Sequence, residues 1–283
     1  MTFREAYITA CDLLKSAGID DFKSDTDYIF EKCFGFDRKE MIFNGSREFP
    51  DEFKSKLFKV LDERKKKIPL QYILGTWTFM GMEFKVGEGV LIPRDDTTVL
   101  VQESLNKLKN LNCPKIVDLC SGSGCIPIAI EKYLKNSPEI YAIEKSRAAY
   151  RYLTGNVSIH NSKVKCINED IFVSYQSFED EYFDALISNP PYIKSEDMKS
   201  LQDEVKNEPQ MALDGGEDGL YFYKKISSLW SSKIKKGGVI AFEIGQGQSL
   251  EVCEILKSNG FILLNVFKDI NGIDRVIMGI RQN

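Results

Sequence analysis

The sequence predicts an α/β fold, a mostly parallel sheet with helices between its strands, preceded by a small helical domain. Three observations carry this. Apolar residues recur at helical spacing through roughly the first seventy of the 283 residues, strand-like apolar runs alternate with helical stretches from Arg94 onward, and an alternating, glycine-containing segment separates the two. The expected division is a helical domain over 1–75, a β-hairpin linker over 76–93 and a larger domain over 94–283.

In the first part, Phe3, Tyr7, Ala10, Leu13 and Leu14 line one face of a helix from Phe3 to Ala17 that Gly18 stops. Ser24 or Asp25 is placed to cap a second helix holding Tyr28, Ile29 and Phe30. Pro50 opens a third, striped with Phe53, Leu57, Phe58, Val60 and Leu61. These stripes form the core of a small bundle. Residues 1–75 hold fourteen Lys or Arg and fourteen Asp or Glu, which excludes a basic nucleic-acid reader. Arg64-Lys65-Lys66-Lys67 reads as a solvated helix end that complements the helix dipole.

The linker alternates through Phe79-Met80-Gly81-Met82-Glu83-Phe84-Lys85-Val86 before Gly87 and Gly89, as a hairpin does. A helix follows Arg94, and strands are expected at 115–119, 139–144, 163–167, 183–188, 237–244, 261–268 and 273–280, with right-handed crossovers. Only Asp269-Ile270-Asn271-Gly272 separates the last two, so the final strand should run antiparallel. Residues 193–217 are polar and without period, and a loop of that length is expected to be functional, here as a lid.

Composition narrows the class. With 38 basic against 42 acidic residues the net charge is −4, and no global field draws a nucleic-acid backbone. The seven cysteines are odd in number, scattered and without a C-x-x-C pair, so they read as reduced thiols in a cytoplasmic setting and as neither a disulfide frame nor a metal site. Cys120 and Cys125 serve as small apolar fillers, and the single His160 as a surface residue. No secretory signal or membrane-spanning apolar run is visible.

Two motifs carry chemistry. Asn189-Pro190-Pro191-Tyr192 ends the apolar run Phe183-Asp184-Ala185-Leu186-Ile187-Ser188, at the carboxyl end of a strand, where open α/β sheets bind ligands. Each proline fixes its own φ and holds the residue before it extended, so Asn189 begins a stiff rim. The Asn189 side-chain oxygen and the Pro190 carbonyl can accept from one planar –NH2 group, and Tyr192 offers a face for it. Asn-Pro alone marks an ordinary turn. The second motif changes the weighing: Lys115-Ile116-Val117-Asp118-Leu119 breaks into Cys120-Ser121-Gly122-Ser123-Gly124 and then a helix through Ile126, Ile128, Ala129, Ile130 and Leu134. Pro127 replaces the third glycine of the dinucleotide fingerprint, and no phosphate loop is present. Asp118 precedes the loop, and Glu144 ends the next strand, where a carboxylate takes ribose hydroxyls. Acid around a glycine loop suits a cationic ligand lacking phosphate, such as S-adenosylmethionine. Asp170 and Ile171, after the third strand, would flank its adenine, although Ile171 and Phe172 serve equally well as core residues.

Further segments extend the pattern: Pro69-Leu70-Gln71-Tyr72-Ile73-Leu74-Gly75, Leu91-Ile92-Pro93-Arg94, Asn207-Glu208-Pro209-Gln210-Met211-Ala212-Leu213-Asp214-Gly215-Gly216-Glu217-Asp218-Gly219-Leu220, Glu243-Ile244-Gly245-Gln246-Gly247-Gln248 and Asp274-Arg275-Val276. Through these the chain resembles, nearly end to end, the protein-glutamine N5-methyltransferases of the PrmC/HemK family, which modify peptide chain release factors. One departure stands out: Asp95-Asp96-Thr97-Thr98 replaces the family's Pro, acidic residue, Thr and Glu. The resemblance implies a seven-stranded, Rossmann-like S-adenosylmethionine-dependent methyltransferase domain with an N-terminal substrate-recognition domain. It implies as acceptor the glutamine of the Gly-Gly-Gln loop of class I release factors; a monomer is expected, with no stable nucleic-acid binding given the net charge and no membrane association given the lack of a spanning apolar run. A carboxamide nitrogen is a poor nucleophile, so catalysis would work by positioning, and no general base stands out. Three rivals remain. A ribosomal-protein glutamine methyltransferase shares the chemistry, an adenine-N6 DNA methyltransferase would need a basic groove for a flipped base, and a non-catalytic module would not need both motifs intact.

Overall fold

In the computed structural model, which describes residues 1–282, Thr2 starts helix α1 (Phe3–Ser16) through a reciprocal cap with Glu5. Helix α2 (Phe22–Phe34) begins earlier than expected, with Asp21 at the capping position. Ser24 and Asp25 lie inside the helix, because the Asp25 carboxylate is taken by Arg64. Helix α3 (Arg38–Asn44), started by Asp37 accepting from the Glu40 N–H, buries no residue and so left no apolar stripe to read. Helix α4 (Asp51–Arg64) follows Pro50 as expected, and α5 (Leu70–Leu74) ends at a left-handed Gly75. Phe3, Phe30, Phe36 and Phe49 centre the core, with Phe3 and Phe36 stacked 3.9 Å apart. Phe58, expected in the α4 stripe, faces solvent.

These helices form one of two compact units, Met1–Thr76 together with Gln202–Asn207. Arg64 corrects the reading of the basic run as a solvated end, since it is only 2% exposed. Its Nε lies 2.6 Å from Asp25 Oδ2, its Nη1 donates to the Ile68 carbonyl, and its Nη2 meets the Glu204 carboxylate. Asn207 adds a bond to the Lys67 carbonyl at 2.9 Å.

The second unit, Trp77–Leu201 with Glu208 onward, opens with the hairpin β1 (Thr76–Phe79) and β2 (Met82–Lys85), turned by Met80 and Gly81, both at positive φ. Then come α6 (Thr97–Leu108), β3 (Lys115–Leu119), α7 (Cys125–Tyr133), β4 (Glu139–Ile143), α8 (Arg147–Ile159), β5 (Lys165–Ile167), α9 (Ile171–Ser174) and β6 (Phe183–Ser188). After α10 (Asp203–Lys206), which packs with the first unit, follow α11 (Tyr221–Trp230), β7 (Ile234–Glu243), α12 (Ser249–Ser258), β8 (Phe261–Lys268) and β9 (Asp274–Arg281). The seven-stranded sheet has the order β5-β4-β3-β6-β7-β9-β8, and β9 is antiparallel to both neighbours, as the short last connection required.

Both sheet faces are covered, which is why the strands read as continuous apolar runs. Ile116, Val239 and Ala241 pack with Leu100, Ile126 and Leu153 on one side, while Val117, Ile240 and Phe242 pack with Tyr223, Trp230 and Val252 on the other. Parallel pairing aligns Leu119 with Ile143 and Ser188, Ile143 with Ile167, and Ser188 with Phe242. Five strands thus end on one level. Residues 193–217 are not the structureless loop expected: they hold short helical turns, and Ile193 bridges Asp214. His160 is half-buried, with Nε2 2.9 Å from the Glu83 carbonyl and its ring on Phe84, so it braces the hairpin instead of standing free. Among the described residues no helix is long and apolar enough to cross a membrane.

Arg64→Ala would leave the buried Asp25 carboxylate without its counter-charge. It should destabilise the helical unit by about 3–5 kcal/mol, whereas Lys65→Ala on the surface should change stability by less than about 0.5 kcal/mol. Urea denaturation of the full chain followed by circular dichroism measures both, and equal small effects would refute the structural role of Arg64.

Candidate active site

The loops that leave the level strand ends line a cavity of about 320 Å³. Cys120, Ser121, Gly122 and Ser123 come from the β3 loop, Glu144 from the end of β4, Asp170 and Ile171 from the end of β5, and Asn189 and Pro191 from the end of β6. Arg94, Thr97, Lys145 and Phe172 complete much of the remaining wall. The sheet register thus brings together two sequence motifs separated by more than sixty positions.

Three residues expected at the site stand off that wall. Gly124 caps α7 at φ +81°, where a Cβ would lie 2.6 Å from Leu153 Cδ1, so it serves the close packing of α8 against the loop. Pro190 is buried. Tyr192 is held from behind: its carbonyl accepts from Gln248 Nε2 at 3.0 Å, and a Cβ on Gly215 would come within 2.7 Å of its Cα. The Gly-Gly segment is therefore glycine because the backbone of the Asn-Pro-Pro-Tyr turn passes against it, with Gly215 N–H donating to the Ile193 carbonyl at 2.7 Å.

Carboxylates dominate the electrostatics. Glu144 accepts from the Gly122 N–H at 2.8 Å and the Ser146 N–H at 2.7 Å, which fixes its side chain at the cavity edge; burial pushes its pKa up and these two bonds oppose the rise. Asp170 starts α9 by accepting from the Phe172 N–H and pairs with Lys145 at 2.8 Å. Asp118 differs from both, being 1% exposed with neither carboxylate oxygen hydrogen-bonded. Burial pushes it up to about 8, Ser121 opposing and Glu144 adding to the shift. Cys120, next to it, holds a left-handed φ of 60° that a non-glycine residue rarely adopts.

Both cations on the wall are already paired, Lys145 with Asp170 and Arg94 with the buried Glu208. The other Glu208 oxygen accepts from the Ile92 N–H at 3.0 Å, which ties the Leu-Ile-Pro-Arg turn to the Asn-Glu-Pro segment. Where the sequence departs from the family pattern, Asp96 pairs with Arg275 at 3.1 Å and α6 begins at Thr97. Thr97, Glu208 and Glu243 were missed as site residues. A charged residue closing the apolar run Ile240-Ala241-Phe242-Glu243 was the available signal for the last.

The fold is that of methyltransferases. The structure of a methyltransferase from Pyrococcus furiosus aligns with TM-score 0.54 over 83% of this chain and 100% of its own at 14% identity. A Thermus thermophilus 16S rRNA N2 G1207 methyltransferase aligns with TM-score 0.52 over 73% and 50% at 15% identity. Residues 94–217 match the family profile of the methyltransferase small domain, and residues 5–75 that of the PrmC N-terminal domain. The release factor glutamine methyltransferase of Clostridium botulinum is 39% identical over 98% of both chains, and that of Fusobacterium nucleatum is 40% identical over 94% of this chain and 75% of its own. This chain belongs to the release factor glutamine methyltransferase family.

The orphaned Asp118 gives a pH test. An aspartate in the unfolded chain titrates near 3.9, so between about pH 4 and its folded value of about 8 the folded state holds the extra proton. Stability of the ligand-free protein must then fall as pH rises through that window. Glu243, pushed up to about 7 by burial, acts with the same sign. Asp118→Asn should flatten the fall and melt above the parent protein at about pH 8, the gap narrowing at about pH 5. Parallel Tm profiles for the two proteins would show that Asp118 does not titrate in this way.

Proposed function

We propose that this protein transfers a methyl group from S-adenosylmethionine to the side-chain nitrogen of a glutamine in class I peptide chain release factors. One observation carries the reading: Asn189 opens onto the same cavity as the Cys120–Gly124 loop and Glu144. The names of the relatives supply the protein substrate. The residues fit the cofactor, because both cations on the cavity wall are paired with carboxylates and Glu144 and Asp170 also line it, which suits a cationic ligand without phosphate. The Cys120–Ser123 backbone, Glu144 toward the ribose, and Asp170 with Ile171 toward the adenine would hold it. Bound there, it supplies an electrophilic methyl group on a sulfonium.

The chain's own residues do the rest by positioning. A carboxamide nitrogen delocalises its lone pair into the carbonyl, and holding it face-on toward the methyl offsets that weakness. Asn189 Oδ1 and the backbone carbonyl of Pro190, whose ring is buried but whose neighbours Asn189 and Pro191 both line the cavity, accept its two N–H groups, and both acceptors favour the positive charge that builds on nitrogen. Tyr192, fixed by Gln248 and Gly215, keeps the rim rigid. The proton leaves to solvent. A glutamine following two glycines reaches such a pocket on a bare backbone, which a helical glutamine cannot do. One side chain provides too few contacts for selectivity, so the helical unit recognises the body of the release factor. The enzyme works as a cytoplasmic monomer without stable nucleic-acid binding, in keeping with its net charge of −4.

Asn189→Ala should keep the fold and cofactor affinity while lowering kcat by about 100-fold, the loss typical of one preorganised polar contact. Single-turnover transfer of labelled methyl to a release factor, read by mass spectrometry, measures it. Replacing the Gly-Gly-Gln glutamine should abolish incorporation. Near-normal turnover in the variant, or labelling that survives loss of that glutamine, would overturn the proposal.

A further inference from the structure

Glu243 is a buried carboxyl for which the methyl-transfer scheme above has no use. It ends β7 beside Asn189: Ser188 pairs with Phe242, so the residues that follow them leave neighbouring parallel strands side by side. Its side chain is within 2% of full burial and its Oε2 has no hydrogen-bond partner. Its backbone is locked, with the carbonyl accepting from the Tyr223 hydroxyl at 3.0 Å and the residue paired to Val276. Asn189 Nδ2 meanwhile has only a long contact, 3.4 Å, to the Thr97 hydroxyl. An unsatisfied acceptor and an under-used donor thus sit at the ends of neighbouring strands.

We infer that Glu243 is the positioning residue that decides which end of the Asn189 amide faces the substrate. The two ends of an asparagine amide are nearly the same shape but opposite in hydrogen bonding, one accepting and the other donating. In its ionised form the Glu243 carboxylate only accepts, so it is satisfied only by the –NH2 end, and Asn189 Oδ1 is then turned toward the glutamine. Thr97 contributes to the same corner, and Arg275, paired with Asp96 and Asp269, stands behind it on β9. Burial pushes the Glu243 carboxyl up to about 7, opposed by the Thr97 hydroxyl and the Asn189 amide, which places both groups within its electrostatic reach.

The consequence is selectivity. An Oδ1-outward rim presents acceptors alone, so it binds the –NH2 of a glutamine and repels the carboxylate of a glutamate. If nothing holds the amide, it can flip, and the –NH2 end then welcomes the carboxylate. A carboxyl buried only as packing would do nothing of the kind, and its replacement by an uncharged residue of similar size would be neutral or stabilising.

The inference rests on the proposed glutamine transfer, and one set of measurements tells the two apart. Glu243→Leu and the isosteric Glu243→Gln are compared with the parent protein, with Tm and calorimetric S-adenosylmethionine affinity as controls for folding. The substrate is a class I release factor, and the inhibitor is the same protein with glutamate in place of the Gly-Gly-Gln glutamine. Expected are unchanged cofactor affinity and a Tm at or above the parent's. Glu243→Leu should lower kcat by about tenfold or more and strengthen inhibition by the glutamate form by a similar factor, while Glu243→Gln, which keeps one acceptor oxygen, should fall between. If Glu243→Leu does not fold, the same shift in inhibition is read from Glu243→Gln. Parent-like kcat and parent-like discrimination in folded, cofactor-binding variants would overturn the role of Glu243. Absence of methyl transfer by the parent protein itself would overturn the proposed function and this inference with it.

Discussion

Ser188 donates its hydroxyl to the Leu119 carbonyl across 2.7 Å at the point where β3 and β6 stop together, and the site depends on that shared ending. A slip of one residue would turn every side chain to the opposite face of the sheet, so register is held here because the two faces pack against different neighbours. Here the alternation of Ile116 and Val117 on β3, and of Val239, Ile240, Ala241 and Phe242 on β7, feeds two separate cores. Those cores fix the register, the register levels the ends at Leu119, Ile143, Ile167, Ser188 and Phe242, and the level ends bring four loops to one cavity. Chemistry at Asn189 is in this sense a product of apolar packing some distance below it.

Buried charge divides into two kinds in this molecule. Arg64 with Asp25 and Glu204, and Glu208 with Arg94 and the Ile92 N–H, are charges whose partners are complete. They hold the segment that follows Asn-Pro-Pro-Tyr at two places only four residues apart, Glu204 within the helical unit and Glu208 within the catalytic one. Asp118 and Glu243 are different, since each retains an oxygen with nothing bound to it. A buried polar atom without a partner costs about 1–3 kcal/mol. Both such residues close or nearly close strands that end at the cavity, and neither lines its wall.

The sequence made the sheet legible because its strands are short, fully apolar and separated by helical stretches, so Phe183 to Ser188 and Lys115 to Leu119 could be read directly. The glycine loop, Glu144, Asp170 and Asn189 were legible for the same reason: each follows a recognisable strand, and in a parallel sheet the end of a strand is where a ligand sits. What could not be read depended on distant partners. Arg64 looked like one more solvated cation in a basic run, and only the fold sets it against Asp25 and Glu204. Helix α3 has no buried face to leave a period. Tyr192, read as cavity rim, is not among the cavity-lining residues; its carbonyl is bound by Gln248 and its backbone passes against Gly215. Glu243 closed an apolar strand in plain view, but its nearness to Asn189 comes from the pairing of Ser188 with Phe242, which no local pattern encodes.

The central claim is that the turn after β6 recognises a carboxamide by presenting two acceptors to its –NH2 group, next to a cavity that holds the methyl donor. A crystal structure of the protein with S-adenosylhomocysteine and a release-factor peptide containing Gly-Gly-Gln measures this directly. The account predicts the glutamine nitrogen within hydrogen-bond distance, about 2.7–3.2 Å, of both Asn189 Oδ1 and the Pro190 carbonyl, with its face toward the sulfur. A glutamine nitrogen bound to neither acceptor, or an Asn189 amide turned with its nitrogen toward the substrate, would contradict it.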